Sequence, residues 1–318
     1  SNLFLQLIWE LFFFPKVLKQ NKIDILFNLD AGALARYKCF VTMSQDMLSY
    51  ESGEIQRYGL TISALRLLIL RYVQNNSLKS SDGVIFLTKY ASKLIQRSSG
   101  KIKNFIEIPH GVSKVFQNKK FILKKSFQDT IRVIYVSNAA PYKHQWHVVN
   151  GIQILLKKGY KIKLLLVGGV DKISESKLRN AIDALGSKRK YICQYPQVDQ
   201  EKLSLMISSC DIFVFASSCE NMPITLLEGM TIGIPIACSE KGPMPEILQE
   251  AGIYFDPENP KEIAKAIKKL LECYQTRKLY SNKAKKKAKS YTWEESSRIT
   301  FNYLSEIASQ KNKFSNKH

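Results

Sequence analysis

The chain of 318 residues is long enough for about two domains, and its 45% hydrophobic content supplies material for real cores. A net charge of +21 indicates an anionic partner such as nucleic acid, a phospholipid surface or a phosphorylated small molecule, or else only solvated, lysine-rich helix faces. Six scattered cysteines without a C-x-x-C spacing argue against a zinc site and against a disulfide framework.

The first predicted element is an apolar helix in "LFLQLIWELFFF", Leu3 to Phe14. The run is shorter than the roughly 20 apolar residues that cross a bilayer. It also lacks the basic start and the cleavage site of a signal peptide. We expect this helix to dock on protein, and the alternative is a helix that lies at a membrane interface.

Four apolar runs predict strands in the first half of the chain, with helices between them at Ile55–Gln74 and Tyr90–Arg97. The strands are "KIDILFN", "CFVTMSQ", "DGVIFLT" and "FIEIPHG". A segment rich in lysine and phenylalanine, Val115–Asp129, is interpreted as the linker to the second half.

From Ile131 onward, continuous apolar runs that predict strands alternate regularly with runs of helical periodicity. The strands are "IRVIYVS", "KIKLLLVGG", "KYICQY", "DIFVFA", "IPIACS" and "IYFDP". Gly159 and Gly233 follow two of the helical runs and are expected to end those helices. Strands of this kind, separated by helices, predict a parallel sheet covered on both faces, which is a doubly wound α/β domain of Rossmann type.

Ligands of such sheets bind at the carboxyl ends of the strands, where loops lead into helices. In the loop "VSNAAPYKHQW", Lys143 stands just before a helix and is a candidate for binding a diphosphate, although a plain surface lysine is the alternative. His144 and His147 could share a metal ion, but no further ligand is apparent. The next loop contains Gly168 and Gly169 without the G-x-G-x-x-G pattern of dinucleotide sites, so these glycines either make room for a ligand or only form a turn.

The stretch "SSCENMPITLLEGMTIGIP" places two carboxylates eight residues apart, with no lysine or arginine between them. Glu220 falls in the loop after a strand, and Glu228 falls in the helix that begins near Pro223. Because a carboxylate can accept hydrogen bonds from two vicinal hydroxyl groups, both are expected to bind a polyhydroxylated ligand, which would explain the absence of a neighbouring cation.

Several blocks in the same order resemble the retaining glycosyltransferases of family 4, also called group 1, with the GT-B fold. They are "IPHGV", "YVSNAAPYK", "ENMPITLLEGMTIGIPIACS", "GPMPEILQEAGIYFDPENPKEIAKAI" and "YTWEESSRITFNYL". Together they extend from about Phe40 to Leu304. The resemblance implies an α/β protein with two doubly wound, Rossmann-like domains that face a cleft.

By this resemblance, a nucleotide-diphosphate sugar is the donor and no metal is needed. Lys143 would neutralise the diphosphate, Glu228 would hold the ribose, and Glu220 would hold the transferred sugar. The resemblance also implies a sugar-binding role for the backbone of Asn221, Met222, Pro223 and Ile224, and Asn138 and Gly168 are the remaining candidates for the donor site.

The sequence departs from the family pattern at three places. Asn138 stands where many members have arginine, and Asn221 and Pro223 replace glycines of the signature. In the first domain, Gln45 and Asp46 stand where many members have a histidine near the sugar, and they are interpreted as catalytic candidates.

The predicted domains are 1–115 on the acceptor side, 116–290 for the donor, and a C-terminal helix, 291–318, that crosses back to the first domain. The first domain is expected to be incomplete, lacking roughly 60–90 residues, in a fragment or a truncated gene product.

The predicted function is transfer of a hexosyl group, with mannose from GDP-mannose as the first hypothesis. The acceptor would be lipid-linked or a polysaccharide, in lipopolysaccharide or capsule synthesis at the cytoplasmic face of an anionic membrane. The alternatives are a non-catalytic nucleotide-sugar-binding or scaffold protein and a nucleic-acid binder. The last is disfavoured because the lysine runs lack interleaved aromatic residues.

Overall fold

The computed structural model describes residues 5, 8–127 and 129–315, and the side chains up to residue 311. The chain forms two compact units, one of residues 1–110 and 293–318 and the other of residues 111–292. The sequence-based boundaries lie at 115/116 and 290/291. Parts of three predicted segments lie outside the described residues, namely residues 3, 4, 6 and 7 of the first helix, residue 128 of the linker and residues 316–318 of the last helix.

Unit 1 contains a four-stranded parallel sheet in the order β1-β2-β3-β4. The strands are β1 (Leu26–Asn28), β2 (Phe40–Met43), β3 (Gly83–Phe86) and β4 (Phe105–Glu107). The helices are α1 (Phe14–Gln20), α2 (Ile62–Ser80), α3 (Lys89–Ser99) and α12 (Trp293–Ser315). All four residues of β2 and of β3 are buried, which is why both strands are apolar apart from Thr42.

Two helix predictions for unit 1 need correction. The predicted helix Ile55–Gln74 is broken, because Gly59 has a φ of 60° and Thr61 caps the new helix α2 by accepting a hydrogen bond from the amide of Ala64. At the N-terminus, a π-helical turn at Trp9–Phe13 leads into α1, so the helical segment runs on to Gln20.

Unit 2 contains a six-stranded, all-parallel sheet in the order β10-β9-β8-β5-β6-β7. The strands are β5 (Ile131–Val136), β6 (Ile162–Val167), β7 (Ile192–Tyr195), β8 (Ile212–Phe215), β9 (Ile236–Ser239) and β10 (Ile253–Phe255). The helices are α4 (Lys114–Gln117), α5 (Gln145–Lys157), α6 (Lys172–Asp183), α7 (Gln200–Ser208), α8 (Ile224–Ile232), α9 (Met244–Leu248), α10 (Pro260–Glu272) and α11 (Tyr274–Ala288).

The predicted fold class, α/β with two parallel sheets, is confirmed. In unit 2 the strand order reverses between β5 and β8, which pair with each other although they are distant in the chain. Such a reversal separates the loops that follow the two strands and leaves a crevice at their carboxyl ends. The sheet therefore sets the loops 137–144 and 216–223 on either side of one ligand-binding position.

The segment interpreted as a linker makes hydrogen bonds to Arg277 of α11 in unit 2. The buried Arg277 donates hydrogen bonds from Nη2 to the carbonyls of Lys124 and Lys125 at 3.0 and 3.1 Å, and its guanidinium lies over the ring of Phe127. None of the helices in the described residues is long and apolar enough to cross a membrane.

Candidate functional site

The carbonyl of Tyr142 is a shared hydrogen-bond acceptor between the loops after β5 and β8. The carbonyl of Tyr142 accepts hydrogen bonds from the amide of Ser218 at 2.9 Å, from its hydroxyl at 3.3 Å and from the hydroxyl of Ser217 at 3.4 Å. The phenol of Tyr135, inside β5, donates to the carbonyl of Lys143 at 2.6 Å. These bonds fix the backbone on both sides of the crevice.

The ammonium of Lys143 forms an ion pair with the carboxylate of Glu220 across this crevice. Their side chains are only 12% and 14% exposed, and the ammonium lies 4.9 Å from the centre of the Tyr142 ring. The expectation that no cation stands beside these glutamates is therefore wrong for Glu220. Its partner comes from 77 residues upstream, a distance at which local sequence context carries no signal.

His144 follows Lys143 in the left-handed backbone region, with φ 48° and ψ 32°, at the start of α5. Its fully buried ring is held by a hydrogen bond between Nε2 and Ser218 Oγ at 2.8 Å. The ring stacks on that of His147, whose Nδ1 lies 3.2 Å from the carbonyl of Pro257. The described residues contain no cluster of three or more His, Cys, Asp and Glu side chains that could hold a metal ion.

A hollow of about 450 Å³ opens at the carboxyl ends of β5 and β6, within the size range of small-molecule sites. Its lining includes Ser137, Asn138, Gly168, Gln197, Thr225 and Glu228. Gly168 has a φ of 139°, and a Cβ atom there would lie 2.3 Å from the carbonyl oxygen of Ser137. This glycine lets the loops after β5 and β6 pack backbone to backbone beside the hollow.

Glu228 is the buried carboxyl group of this hollow. It is 5% exposed, and its Oε2 atom has no hydrogen-bond partner among the described residues. Burial raises the pKa of Glu228 to about 8, because the charged form loses hydration that nothing nearby replaces. A buried carboxyl group without a partner is costly, so its position in a hollow indicates a ligand with hydroxyl or amide groups.

The other predicted donor-site residues differ in their exposure to solvent. Asn138 is exposed and lines the hollow, whereas Asn221, Met222 and Pro223 are buried and Ile224, the first residue of α8, is exposed.

Among the polar residues that line this hollow, sequence reasoning missed Ser137, Gln197, Gln200 and Thr225. Gln197 lies in the loop before α7, where no apolar pattern or motif distinguishes it from other polar loop residues. Its place after β7, which pairs with β6, becomes a signal only once the strand order is known.

Gln45 and Asp46 lie in unit 1, in the loop that follows β2. Gln45 donates from Nε2 to the carbonyl of Leu29 at 2.7 Å, and Asp46 Oδ1 accepts from the amide of Leu48 at 2.9 Å. Burial, with a smaller contribution from the charge of Asp30, raises the pKa of Asp46. Gln45 is thus oriented by the loop after β1, and Asp46 is oriented by the backbone of its own loop.

Gly168→Ala is expected to lower the stability of unit 2 by about 2 to 3 kcal/mol, because the new methyl group meets backbone in a strained conformation. Thermal unfolding and nucleotide binding would measure the change, with at least a several-fold loss of affinity as the loops separate. Gly169→Ala is the matched control, since its Cβ would meet nothing within 4 Å. Equal behaviour of the two variants would contradict the role given to Gly168.

Residues 116–287, more than half of the chain, match the family model described as Glycosyl transferases group 1. The O-antigen chain mannosyltransferase B of Escherichia coli is 24% identical over 169 residues, which are 53% of this chain and 44% of that protein. The Staphylococcus aureus capsular polysaccharide biosynthesis glycosyltransferase CapM is 22% identical over 267 residues, covering 77% and 68%. The chain spans less than half the length of the first curated relatives that it matches. These shares are 44% of the E. coli mannosyltransferase and 19% of the sulfoquinovosyl transferase SQD2 of Arabidopsis thaliana.

Two solved structures share the fold. Sucrose-phosphate synthase from Thermosynechococcus elongatus superposes with a TM-score of 0.73 at 18% identity, covering 99% of this chain and 79% of that one. Anabaena HepE in complex with UDP superposes with a TM-score of 0.72 at 17% identity, covering 92% and 81%. The predicted GT-B fold is confirmed, and with its family model matched over residues 116–287 the chain belongs to the glycosyl transferases group 1 family.

Proposed function

We propose that unit 2 binds a nucleotide-diphosphate sugar, with the nucleoside in the hollow beside Glu228. The main support is the buried Oε2 atom of Glu228 in a hollow of about 450 Å³. This atom has no hydrogen-bond partner among the described residues. Ribose hydroxyl groups would supply the missing bonds, and the exposed edge of Asn138 would lie next to the phosphates.

The diphosphate would reach Lys143, across the crevice from the loop after β8. An ammonium group has three N–H donors, so Lys143 can keep its bond to Glu220 and still donate to a phosphate oxygen. As the bond between the sugar and the diphosphate breaks, negative charge grows on the leaving group, and a cation already fixed in place stabilises it. Glu220 and the backbone of Asn221 to Ile224 would hold the sugar.

The reaction is transfer of a hexosyl group with retention of configuration, without a metal ion. The acceptor oxygen forms its bond to the sugar carbon as the bond to the diphosphate breaks, and the hydroxyl proton passes to the departing diphosphate. Gln45 and Asp46 are proposed to bind hydroxyl groups on unit 1. The names of the relatives, an O-antigen mannosyltransferase and a capsular polysaccharide enzyme, support a polysaccharide pathway and mannose as the first donor to test. The acceptor is proposed to be lipid-linked, at the cytoplasmic face of an anionic membrane.

The test is a binding and hydrolysis panel of GDP-, UDP- and dTDP-sugars, each with and without EDTA. We expect one nucleotide to bind in the micromolar range or tighter and its sugar to be released or transferred regardless of EDTA. The Glu228→Ala variant should lose that affinity, whereas Glu240→Ala, an exposed control in the same unit, should keep it. Binding without turnover would favour the non-catalytic alternative, and no binding to any nucleotide sugar would reject the proposal.

A further inference from the structure

His144 is a buried histidine that the proposed function leaves without a role. It follows Lys143 directly and stands at the start of α5 with φ 48° and ψ 32°, a left-handed conformation that is uncommon for residues other than glycine. Its side chain is fully buried, so a ligand in the crevice does not reach the ring. A residue kept in an unfavourable conformation beside a functional lysine indicates that its surroundings hold it there.

A hydrogen bond leads from the ring of His144 to the other crevice loop. Nε2 lies 2.8 Å from Ser218 Oγ, and the same Oγ donates to the carbonyl of Tyr142 at 3.3 Å. A hydroxyl group has a single proton, and a carbonyl oxygen can only accept. When both bonds form, Nε2 must therefore carry the proton that it donates to Oγ. The two bonds form a relay, the His144 relay, from the imidazole through the hydroxyl to the peptide group between Tyr142 and Lys143.

That peptide group belongs to the backbone that directs the side chain of Lys143. The amide of Lys143 donates to the carbonyl of Ala140 at 2.9 Å, and its carbonyl accepts from the phenol of Tyr135 at 2.6 Å. The amide of Ser218 already donates to the Tyr142 carbonyl at 2.9 Å. Because one hydrogen bond leaves a carbonyl group free to tilt, the second bond from the His144 relay fixes its direction.

The ring of His144 is itself held from the far side. It stacks on the ring of His147, with centres 5.4 Å apart and planes 8° apart, and the ring of Trp146 meets it edge-on at 5.8 Å. His147 donates from Nδ1 to the carbonyl of Pro257 at 3.2 Å, in the loop between β10 and α10. A rotation of the ring away from Ser218 would break these contacts.

We propose that His144 is a positioning residue for the donor diphosphate, holding through Ser218 the peptide group that aims the ammonium of Lys143 at the phosphates. The inference rests on the proposed function for the role of Lys143, and it names the residue on which the placement of that cation depends. A cation is effective only when it is already fixed where charge develops. A histidine that only filled the core would instead affect the binding of every part of the donor alike.

The main experiment uses His144→Asn with the nucleotide identified by the panel of nucleotide sugars. Asparagine tolerates the left-handed conformation, but its side chain is too short to reach Ser218. We expect calorimetry to show about a tenfold loss of affinity for the nucleoside diphosphate and less than twofold for the nucleoside. His144→Gln keeps an amide N–H donor near the position of Nε2 and should recover most of the lost affinity.

Two further variants separate the His144 relay from a general effect on packing. His147→Asn keeps a donor near the position of Nδ1 for the Pro257 carbonyl and leaves Ser218 with its partner, so both affinities should stay within about twofold. Ser218→Ala keeps the buried ring and the amide bond to Tyr142, and it should reproduce the selective loss even if His144→Asn does not fold. Adding it to His144→Asn should weaken diphosphate binding no further, because both changes break the same relay.

The proton on the ring gives a readout that does not depend on activity. Nuclear magnetic resonance of the ¹⁵N-labelled chain should find the imidazole proton of His144 on Nε2. A proton on Nδ1 alone would overturn the proposal, and so would an equal loss of both affinities in His144→Asn or the selective loss in His147→Asn. If the unmodified chain binds no nucleotide, the proposed function fails and takes this inference with it. If it binds with the same ratio of affinities in His144→Asn, only the inference fails.

Discussion

Replacing Lys143 by alanine is expected to lower kcat/KM for glycosyl transfer by about 100- to 1000-fold. The structure fixes the ammonium of Lys143 beside the crevice, and under the proposed function negative charge would develop there on the leaving diphosphate. Affinity for the nucleoside diphosphate should fall as well, whereas affinity for the nucleoside alone should not, because the proposed function assigns Lys143 to the phosphates and Glu228 to the ribose. Steady-state kinetics and calorimetry with the donor identified by the panel would measure both effects.

A matched control separates this role from a general effect of charge. Lys241 also pairs with a glutamate in unit 2, but it is 45% exposed and its ammonium lies 3.7 Å from Glu240. Lys241→Ala should therefore keep its activity within about twofold. Since Lys143→Ala leaves Glu220 partly buried without its partner, the double variant Lys143→Ala/Glu220→Gln tests whether lost stability explains the result. Unchanged kinetics in both Lys143 variants would refute the assignment.

The second prediction concerns the dependence of stability on pH. The Glu228→Gln variant should be about as stable as the unmodified chain near pH 4.5 and more stable by about 4 kcal/mol at pH 8. The pKa of Glu228 is about 8 in the folded protein and about 4.5 in the unfolded chain, so the folded state binds the proton more tightly. This carboxyl group therefore contributes its full stability below pH 4.5 and loses it as the pH rises through 8.

Urea unfolding curves between pH 5 and pH 8 for the two proteins would measure this difference. Other titrating groups affect both proteins equally, so the difference between the curves reports on Glu228. Glu240→Gln is the control, because an exposed glutamate should give a curve parallel to that of the unmodified chain. A constant difference between Glu228→Gln and the unmodified chain over this range would show that Glu228 titrates normally.

Four strands of unit 2, β5, β6, β8 and β9, could be predicted from the sequence because they are almost entirely buried and read as apolar runs. The edge strands β7 and β10 are only partly buried, and their regular spacing between helices carried the prediction. The two glycines expected to end helices, Gly159 and Gly233, have φ values of 89° and 83°, as such positions require. The break before α2 follows from Gly59, with its φ of 60°, and from the cap at Thr61, which override the apolar periodicity of the surrounding residues.

Other features could not be predicted from one sequence. The pairing of Lys143 with Glu220 depends on the order of the strands, which brings together loops far apart in the chain. In α2, Leu65, Ile69 and Tyr72 recur at helical spacing in the sequence, yet they are exposed. The spacing alone does not tell which side of a helix is buried. That choice is made by tertiary contacts such as the one between Ser49 and Gln74.

The carbonyl of Tyr142, which accepts hydrogen bonds from Ser217 and Ser218, has a consequence for engineering donor preference. Because this carbonyl joins the two crevice loops, the distance between them depends on residues of both loops. A segment transplanted from a relative into positions 221–224 would meet the same Lys143 as long as both serines are kept. A transplant that also replaces Ser217 and Ser218 would need the matching segment 137–144 from the same relative. Under the proposed function, the smallest exchangeable module for sugar choice would therefore be two loops rather than one.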